Sequence, residues 1–343
     1  MAGRDKEVLV RIEGLKSYFP VKKGVFQRTV GFVKAVDDVD LNIYRGEILG
    51  VVGESGCGKT TLGKTLLRLI KPTGGKVSYA LPDGERDLGA MKRREMDQMR
   101  ERMQIVFQDP YSSLNPAFTV YQSMREPLIK FGAPAGKSYR EAIGDLLETV
   151  NLQRDAMTRY PNEFSGGQRQ RIGIARALSV DPEFIVLDEA VSALDVSIQA
   201  QVLQLLLNLK RDRNLTYMFI THDLSVVEYI SDRIAVMYLG KVVELANTEE
   251  LFANTLHPYT KALLAAVPVA DINRRRKRHP LQGDVPSPVK PPPGCPFHPR
   301  CPRKADVCAV EVPRLTKISG GDGEHLVSCH LVDNHTEKDN ENG

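Results

Sequence analysis

The sequence predicts an α/β fold, and three observations predict it. Ile48, Leu49, Gly50, Val51 and Val52 form a short apolar run, the composition of a strand buried on both faces of a parallel sheet. A glycine-rich loop follows at once, and beyond it Leu62, Leu66, Leu67 and Ile70 fall on one face of a helix expected over 61–70, with Pro72 past its end. Downstream, apolar strands over 184–187 and 217–220 flank a helix over 196–211. That βαβ order places helices on the faces of a parallel sheet.

The loop after the first of these strands reads Gly53-Glu54-Ser55-Gly56-Cys57-Gly58-Lys59-Thr60-Thr61. In this G-x-x-x-x-G-K-[ST] pattern the glycines let backbone N–H groups turn inward around phosphate oxygens, at a helix N-terminus that already favours an anion. Lys59 is placed to reach the β- and γ-phosphates and the Thr60 hydroxyl to join a Mg²⁺ shell. A glycine turn that binds nothing is the bland alternative, and the flanking strand and helix speak against it. The loop predicts binding of a nucleoside triphosphate.

The remaining elements follow in order. Residues 8–12 alternate as a strand leading to Tyr18, Phe19 and Pro20, an aromatic pair suited either to stacking on a base or to packing an edge strand. A further strand is expected over 33–43, so the N-terminal part is partly antiparallel. Past the first helix come a strand over 76–81, a highly charged helix over 91–103 and a strand over 104–107 that ends at Gln108. Residues 120–180 read mostly helical, with breaks at Gly132-Ala133-Pro134 and Pro161, and 234–238 with 241–245 read as a closing hairpin joined at Leu239-Gly240. Near residue 270 the composition turns to linker chemistry, with a basic run at 274–278 and five prolines among 286–293.

Composition narrows the class. A chain of 343 residues with net charge +4 is a folded one- or two-domain protein with no electrostatic case for nucleic acid. No apolar run approaches the about 18 residues of a membrane span, and the N-terminus lacks an apolar h-region, so a cytoplasmic protein is expected. Cys57 lies in the loop, whereas Cys295, Cys301, Cys308 and Cys329 crowd the C-terminal segment. Four clustered thiols in a reducing compartment predict a metal rather than disulfides. Both [4Fe–4S] and tetrahedral Zn²⁺ accept four cysteines, and the lack of paired C-x₂-C knuckles favours the cluster. His298 is a spare zinc ligand or an ordinary surface histidine, and four free thiols are the bland reading.

Two more constellations bear on chemistry. The strand at 184–187 places Asp188 at its C-terminal end, where it can hold Mg²⁺ through water, and puts Glu189 where it can orient or deprotonate an attacking water. Ser165 is an N-cap before Gly166, Gly167 and Gln168, and such a bare helix tip favours an anion.

On these motifs the chain resembles the ATP-binding cassette (ABC) ATPases, over residues 8 to about 265. The phosphate loop, Gln108, the Ser165-Gly166-Gly167-Gln168 signature, the Asp188-Glu189 pair, the Ser192-Ala193-Leu194-Asp195 loop and His222 stand in that family's order. The resemblance implies a P-loop ABC ATPase core with an antiparallel β subdomain and a helical subdomain at about 110–180. Two such cassettes would close head to tail on two ATP molecules, each site joining one chain's phosphate loop to the other's signature. Tyr18 is then the adenine-stacking aromatic, and Gly53, Glu54, Ser55, Gly56, Cys57, Gly58, Lys59, Thr60, Thr61, Ser165, Gly166, Gly167, Gln168 and Asp195 hold the nucleotide. Thr60, Gln108 and Asp188 are implied at Mg²⁺, and Glu189, His222 and Gln108 in catalysis. Ala190 departs from the family, which usually has Pro there, and this bears on rate rather than on any functional group.

Residues 107–116, 194–201 and 257–264 (His257-Pro258-Tyr259-Thr260-Lys261-Ala262-Leu263-Leu264) resemble the oligopeptide/dipeptide importer branch, residues 294–302 with Cys308 and Cys329 resemble its C-terminal extension, and Phe19-Pro20-Val21-Lys22 resembles the second of its two ATPase subunits. This implies a heterodimer with a related ATPase subunit, two transmembrane permease subunits, an extracytoplasmic solute-binding protein reached through them, and a peripheral place on the cytoplasmic face of the membrane. The solute would be a di- or oligopeptide, with sugars or nickel chelates in some members. Residues 1–265 are then the cassette and 266–343 a small Cys-rich C-terminal extension with a Pro-rich linker. In some members Cys295, Cys301, Cys308 and Cys329 would hold an iron–sulfur cluster, expected here to support a small domain without a core of its own. The competing class is a soluble ABC-type ATPase acting on ribosome or nucleic acid. Such proteins usually carry two cassettes or a long coiled coil, and this sequence shows neither. A metal-dependent sensor with a regulatory cassette is a third class, against which the intact Lys59, Glu189 and His222 argue for turnover.

Overall fold

The computed structural model describes residues 7–109, 114–266, 283–318 and 324–333; the basic run at 274–278 and residues 110–113 of the importer-branch motif lie outside them. The chain forms two compact units. One comprises Val8–Ile43, Leu49–Gly89 and Thr221–Gly343, the other Tyr44–Ile48 and Ala90–Ile220.

The first unit opens with β1 (Val8–Lys23) and β2 (Arg28–Tyr44), joined where Gly24 O accepts from Gln27 N at 3.1 Å. β3 (Ile48–Val52) is buried at all five positions and leads through the phosphate loop into α1 (Lys59–Leu66). β4 (Gly74–Leu81) and β5 (Gly84–Asp87) complete an antiparallel sheet of order β2-β1-β4-β5. β1 runs further than the sequence predicts, through Pro20. Its register with β4 ends at Lys16 opposite Gly74, so the missing N–H of Pro20 breaks no bond to β4. The helix after the loop ends sooner than predicted, at Leu66. Arg68 turns left-handed at φ 51°, and the amides of Leu69 and Ile70 fold back onto Lys64 O at 2.9 and 3.2 Å.

The second unit contains α2 (Arg93–Arg102), β6 (Met103–Val106), α3 (Val120–Phe131), α4 (Tyr139–Thr149), α5 (Gly166–Leu178), β7 (Phe184–Asp188), α6 (Val196–Arg213) and β8 (Thr216–Ile220). α3, α4 and α5 start with one device. Thr119 with Gln122, Ser138 with Glu141 and Ser165 with Gln168 each exchange side-chain and backbone bonds across the first turn, satisfying two orphan donors. β6, β7 and β8 are parallel, with Val106 opposite Leu187 and Leu187 opposite Phe219. Phe184, Ile185, Val186 and Leu187 are all buried, and each such side chain contributes about 1.5–3 kcal/mol.

The first unit resumes with α7 (Leu224–Ile230), β9 (Arg233–Tyr238), β10 (Lys241–Asn247), α8 (Thr248–Ala253) and α9 (Pro258–Ala266). It ends with β11 (Thr316–Lys317), β12 (Leu326–Val327) and α10 (His330–Asp333). The expected hairpin is β9–β10, and β9 also runs parallel to β3, giving the order β11-β12-β10-β9-β3. The expectation of a coreless C-terminal domain needs correction. β12 pairs with β10, and Phe297 is fully buried against Tyr238, Tyr259 and His257 at centroid distances of 5.3, 5.4 and 5.8 Å. The extension therefore shares the core of the unit that bears the phosphate loop. The Pro-rich stretch is likewise tied down, with Pro288 O accepting from Lys34 N at 3.2 Å.

Glu244 of β10 anchors this junction. It is 0% exposed and accepts from Leu256 N at 2.7 Å and His257 N at 3.2 Å, with His325 Nε2 at 3.0 Å. His325 Nδ1 faces Glu250 Oε1 at 3.4 Å, so a carboxylate stands at each ring nitrogen. Burial pushes the His325 pKa down, but the bonds and charges of Glu244 and Glu250 outweigh it and hold it above 6.5. His257 is the opposite case. Its Nδ1 accepts from Tyr259 N at 3.1 Å, and burial pushes its pKa down to about 4. The stability from His325 is therefore complete below pH 6.5 and lost as pH rises through its raised folded value. That from His257 is lost as pH falls from 6.5 toward about 4. In thermal unfolding of His325→Gln the alkaline decline should flatten while the acid decline persists. Loss of the cation beside buried Glu244 should cost about 3–5 kcal/mol at pH 6.

Candidate active site

The phosphate loop is shaped by what lies behind it. A Cβ at Gly58, where φ is 110°, would stand 1.9 Å from Ala35 O, and one at Gly53 would stand 2.2 Å from Met237 O. Only glycine lets the loop approach these carbonyls. Gly240 N donates to Cys57 O at 2.8 Å and Gly240 O accepts from Asp37 N at 2.9 Å, so the β9–β10 turn is hydrogen-bonded to both the loop and β2. Lys59 is 5% exposed, and its Nζ donates to Gly53 O at 2.7 Å and Glu54 O at 3.1 Å. The ammonium thus sits inside its own loop, held by carbonyls that phosphate oxygens can replace. Cys57 is buried below it, and burial pushes its thiol pKa up, which keeps it neutral there. Ser55 and Gly56 are exposed at the rim, while Thr60 and Thr61 lie half-buried in the first turn of α1.

Tyr18 lies in the same unit. Its hydroxyl donates to Asp37 Oδ1, and Lys34 Nζ stands 5.6 Å from its ring centroid. Burial, with the adjacent Asp37, pushes the Tyr18 pKa well above the usual phenol range, so it stays a donor. His222 is exposed, between Thr221, whose amide donates to Val51 O at 3.2 Å, and Asp223, which caps α7.

The other unit holds the acidic pair and the signature. Asp188 is 3% exposed at the end of β7. Glu189 follows in a left-handed conformation, φ 48°, fixed by its amide donating to Ile220 O at 2.9 Å. This turns its carboxylate out of the strand. The β6–β7 register brings Gln108 alongside, and Gln108 Nε2 donates to Glu189 Oε2 at 2.7 Å. Ser165 accepts from Gln168 N and its own amide donates to Gln168 Oε1, with Gly166 and Gly167 in the first turn. A Cβ at Gly167 would stand 2.2 Å from the Ile198 side chain, so glycine is required where α5 meets α6. Asp195 caps α6, accepting from Ile198 N at 3.0 Å, which holds its carboxyl below the usual range.

The four C-terminal cysteines gather in the first unit. Cys295 N donates to Cys308 O at 2.8 Å, and burial together with the other three thiols pushes the Cys295 pKa up to about 11. Among the described residues, no group of three or more His, Cys, Asp or Glu side chains is set in a geometry ready for a metal ion. Sequence reasoning missed two residues that touch the loop. Tyr259 Oη accepts from Glu54 N at 2.9 Å, and Arg300 forms an ion pair with the Glu54 carboxylate. Tyr259 lies in the importer-branch motif that starts at His257 and Arg300 in the segment 294–302 that resembles the branch's C-terminal extension, but nothing local links either residue to Glu54.

The ABC transporter family matches residues 36–192, and the oligopeptide/dipeptide transporter C-terminal region matches 243–308. A protein of Sinorhizobium fredii named "Probable peptide ABC transporter ATP-binding protein y4tS" is 50% identical over 95% of this chain and 90% of its own length. The chain belongs to the ABC transporter ATP-binding proteins. The oligopeptide transport ATP-binding protein AppF of Bacillus subtilis is 48% identical over 96% of this chain and 99% of its own. A dimeric ATP-binding cassette in a post-hydrolysis state, bound to ADP and Pi, matches with TM-score 0.60 and 28% identity over 70% of this chain and 99% of that one. The cbiO1 protein of Clostridium perfringens, part of the ABC transporter complex cbiONQ, matches with TM-score 0.61 and 26% identity over 73% of this chain and 92% of that one. The P-loop ABC ATPase fold and ATPase activity follow from this membership. The ribosome or nucleic-acid alternative is set aside. No described helix is long and apolar enough to cross a membrane.

Gly58→Ala should lose nucleotide binding and destabilise the protein by about 1–3 kcal/mol, because Ala35 O blocks the new methyl. Gly56→Ala meets open space and should retain fold and binding better, at the cost only of its positive φ. Chemical denaturation and a fluorescent-nucleotide titration check the pair.

Proposed function

We propose that this chain is the ATP-hydrolysing subunit of a peptide importer. One observation carries the reading: the oligopeptide/dipeptide transporter C-terminal region at 243–308 is built into the same unit as the phosphate loop. In this reading Tyr18 stacks on adenine, the loop amides and Lys59 hold the phosphates, and Thr60, Gln108 and Asp188 serve Mg²⁺, which would neutralise developing charge on the phosphoryl oxygens. Glu189, oriented by Gln108, accepts a proton from water, and His222 steadies the γ-phosphate. Ser165, Gly166, Gly167, Gln168 and Asp195 face the nucleotide of a partner cassette, a related second subunit. Two permeases and an extracytoplasmic solute-binding protein complete the assembly, which places this chain on the cytoplasmic face of the membrane. Glu189→Gln should lower kcat by about 10²–10⁴-fold with ATP binding retained, since only the proton acceptor is lost. Unchanged turnover would contradict the role given to Glu189.

The finer reading of the cysteines is that Cys295, Cys301, Cys308 and Cys329 hold an iron–sulfur cluster. Support comes from the clustering of the four thiols in the C-terminal segment, where Cys295 N donates to Cys308 O at 2.8 Å, and from the acceptance of four cysteines by such clusters. Anaerobic purification should yield iron and sulfide with broad visible absorbance. Zinc, or no metal, would overturn the cluster and leave the ATPase reading standing.

A further inference from the structure

Glu54 is the second residue of the phosphate loop, and a carboxylate there is electrostatically out of place. A site built from backbone N–H groups and Lys59 to receive a polyanion carries a negative side chain at its rim. The structure shows what answers it. Arg300 Nη1 donates to Glu54 Oε2 at 2.7 Å and Nη2 to Oε1 at 3.1 Å, the two-pronged match of a planar guanidinium to a carboxylate. The Arg300 side chain is 6% exposed and that of Glu54 25%, so solvent screens this pair poorly. Arg300 is held from behind. Its Nη1 reaches Tyr238 Oη at 3.4 Å, its guanidinium carbon lies 5.9 Å from the Tyr238 ring centroid, and its amide donates to Phe297 O at 3.0 Å in the turn His298–Arg300. The Glu54 main chain is fixed as well, by Tyr259 Oη at its amide and Lys59 Nζ at its carbonyl.

We infer that Arg300 of the C-terminal extension is a positioning residue for ATP binding, which holds the Glu54 carboxylate away from Lys59 and cancels its charge at the mouth of the phosphate loop. Without Arg300, Glu54 would oppose the incoming triphosphate and compete for the ammonium of Lys59, which already touches the Glu54 carbonyl. The effect falls on ATP affinity, not on the chemical step, because neither Arg300 nor Glu54 is placed at the attacking water. The extension is then a working part of the nucleotide site. This inference rests on the phosphate loop binding ATP, which the wild-type chain decides by itself.

The experiment is a set of steady-state ATPase and MgATP-binding measurements on full-length Arg300→Ala, Arg300→Lys and the double variant Arg300→Ala/Glu54→Gln, at low and high salt. Arg300→Ala should raise KM about tenfold at low salt, the size of one poorly screened charge contact, with kcat nearly unchanged. High salt should shrink the difference only in part, because Glu54 is only partly exposed at the rim. Arg300→Lys should recover part of the affinity, as a point charge lacking the fork. The double variant should return KM toward wild type, because the carboxylate that needed cancelling is gone. A merely structural Arg300 predicts a double variant as impaired as Arg300→Ala, and that result overturns the inference, as does Arg300→Ala with wild-type KM at both salts. Circular dichroism verifies that each variant is folded, and Arg300→Lys carries the test should Arg300→Ala unfold. A wild-type chain that fails to bind MgATP overturns the proposed function instead.

Discussion

The structure of the nucleotide-binding unit depends on a close approach of main chain to main chain. The phosphate loop lies so near the carbonyls of Ala35 and Met237 that Gly53 and Gly58 leave no space for a methyl group. The turn at Leu239 and Gly240, with φ of 44° and 79°, has the twist that suits a two-residue hairpin, and its glycine amide bonds the loop at Cys57. The two main-chain bonds of Gly240, to Cys57 O and from Asp37 N, therefore tie the β9–β10 hairpin to the loop and to β2. Lys59 can be buried because the loop carbonyls are fixed to receive it.

The C-terminal extension obeys the same logic. A short segment with two-residue strands would not order itself in water. It does so by adding β12 to β10 and by placing Phe297 among Tyr238, Tyr259 and His257. The buried Glu244 ties the junction through His325, and Arg300 emerges from it beside the phosphate loop. A metal at the cysteines would add to an arrangement that already has a core.

Much of this was legible in the sequence because it is local. The strand at 48–52, the loop after it, the Ser165 cap and the βαβ unit around α6 are written in neighbouring residues, whereas the caps at Thr119 and Ser138 lie in a stretch that reads only as mostly helical. Pairing across the chain was not legible. The Gln108–Glu189 bond follows from a parallel register that no local pattern states, although the family resemblance named both residues. The early end of α1 hinged on a single left-handed residue, Arg68, which no helix pattern excludes. The reach of β1 through Pro20 depended on where β4 stops, and the Pro-rich stretch was anchored by a bond to Lys34, 254 positions upstream of Pro288 in the chain numbering of the two residues.

The central claim is that the loop is built in advance and that Lys59 exchanges its own loop's carbonyls for phosphate oxygens. An experimental structure with Mg²⁺ and a non-hydrolysable ATP analogue tests this most directly. The account predicts that Lys59 Nζ leaves Gly53 O and Glu54 O for the β- and γ-phosphates while the loop backbone beside Ala35, Met237 and Gly240 stays in place. A nucleotide bound elsewhere, or a loop that refolds away from those carbonyls to admit it, would contradict it.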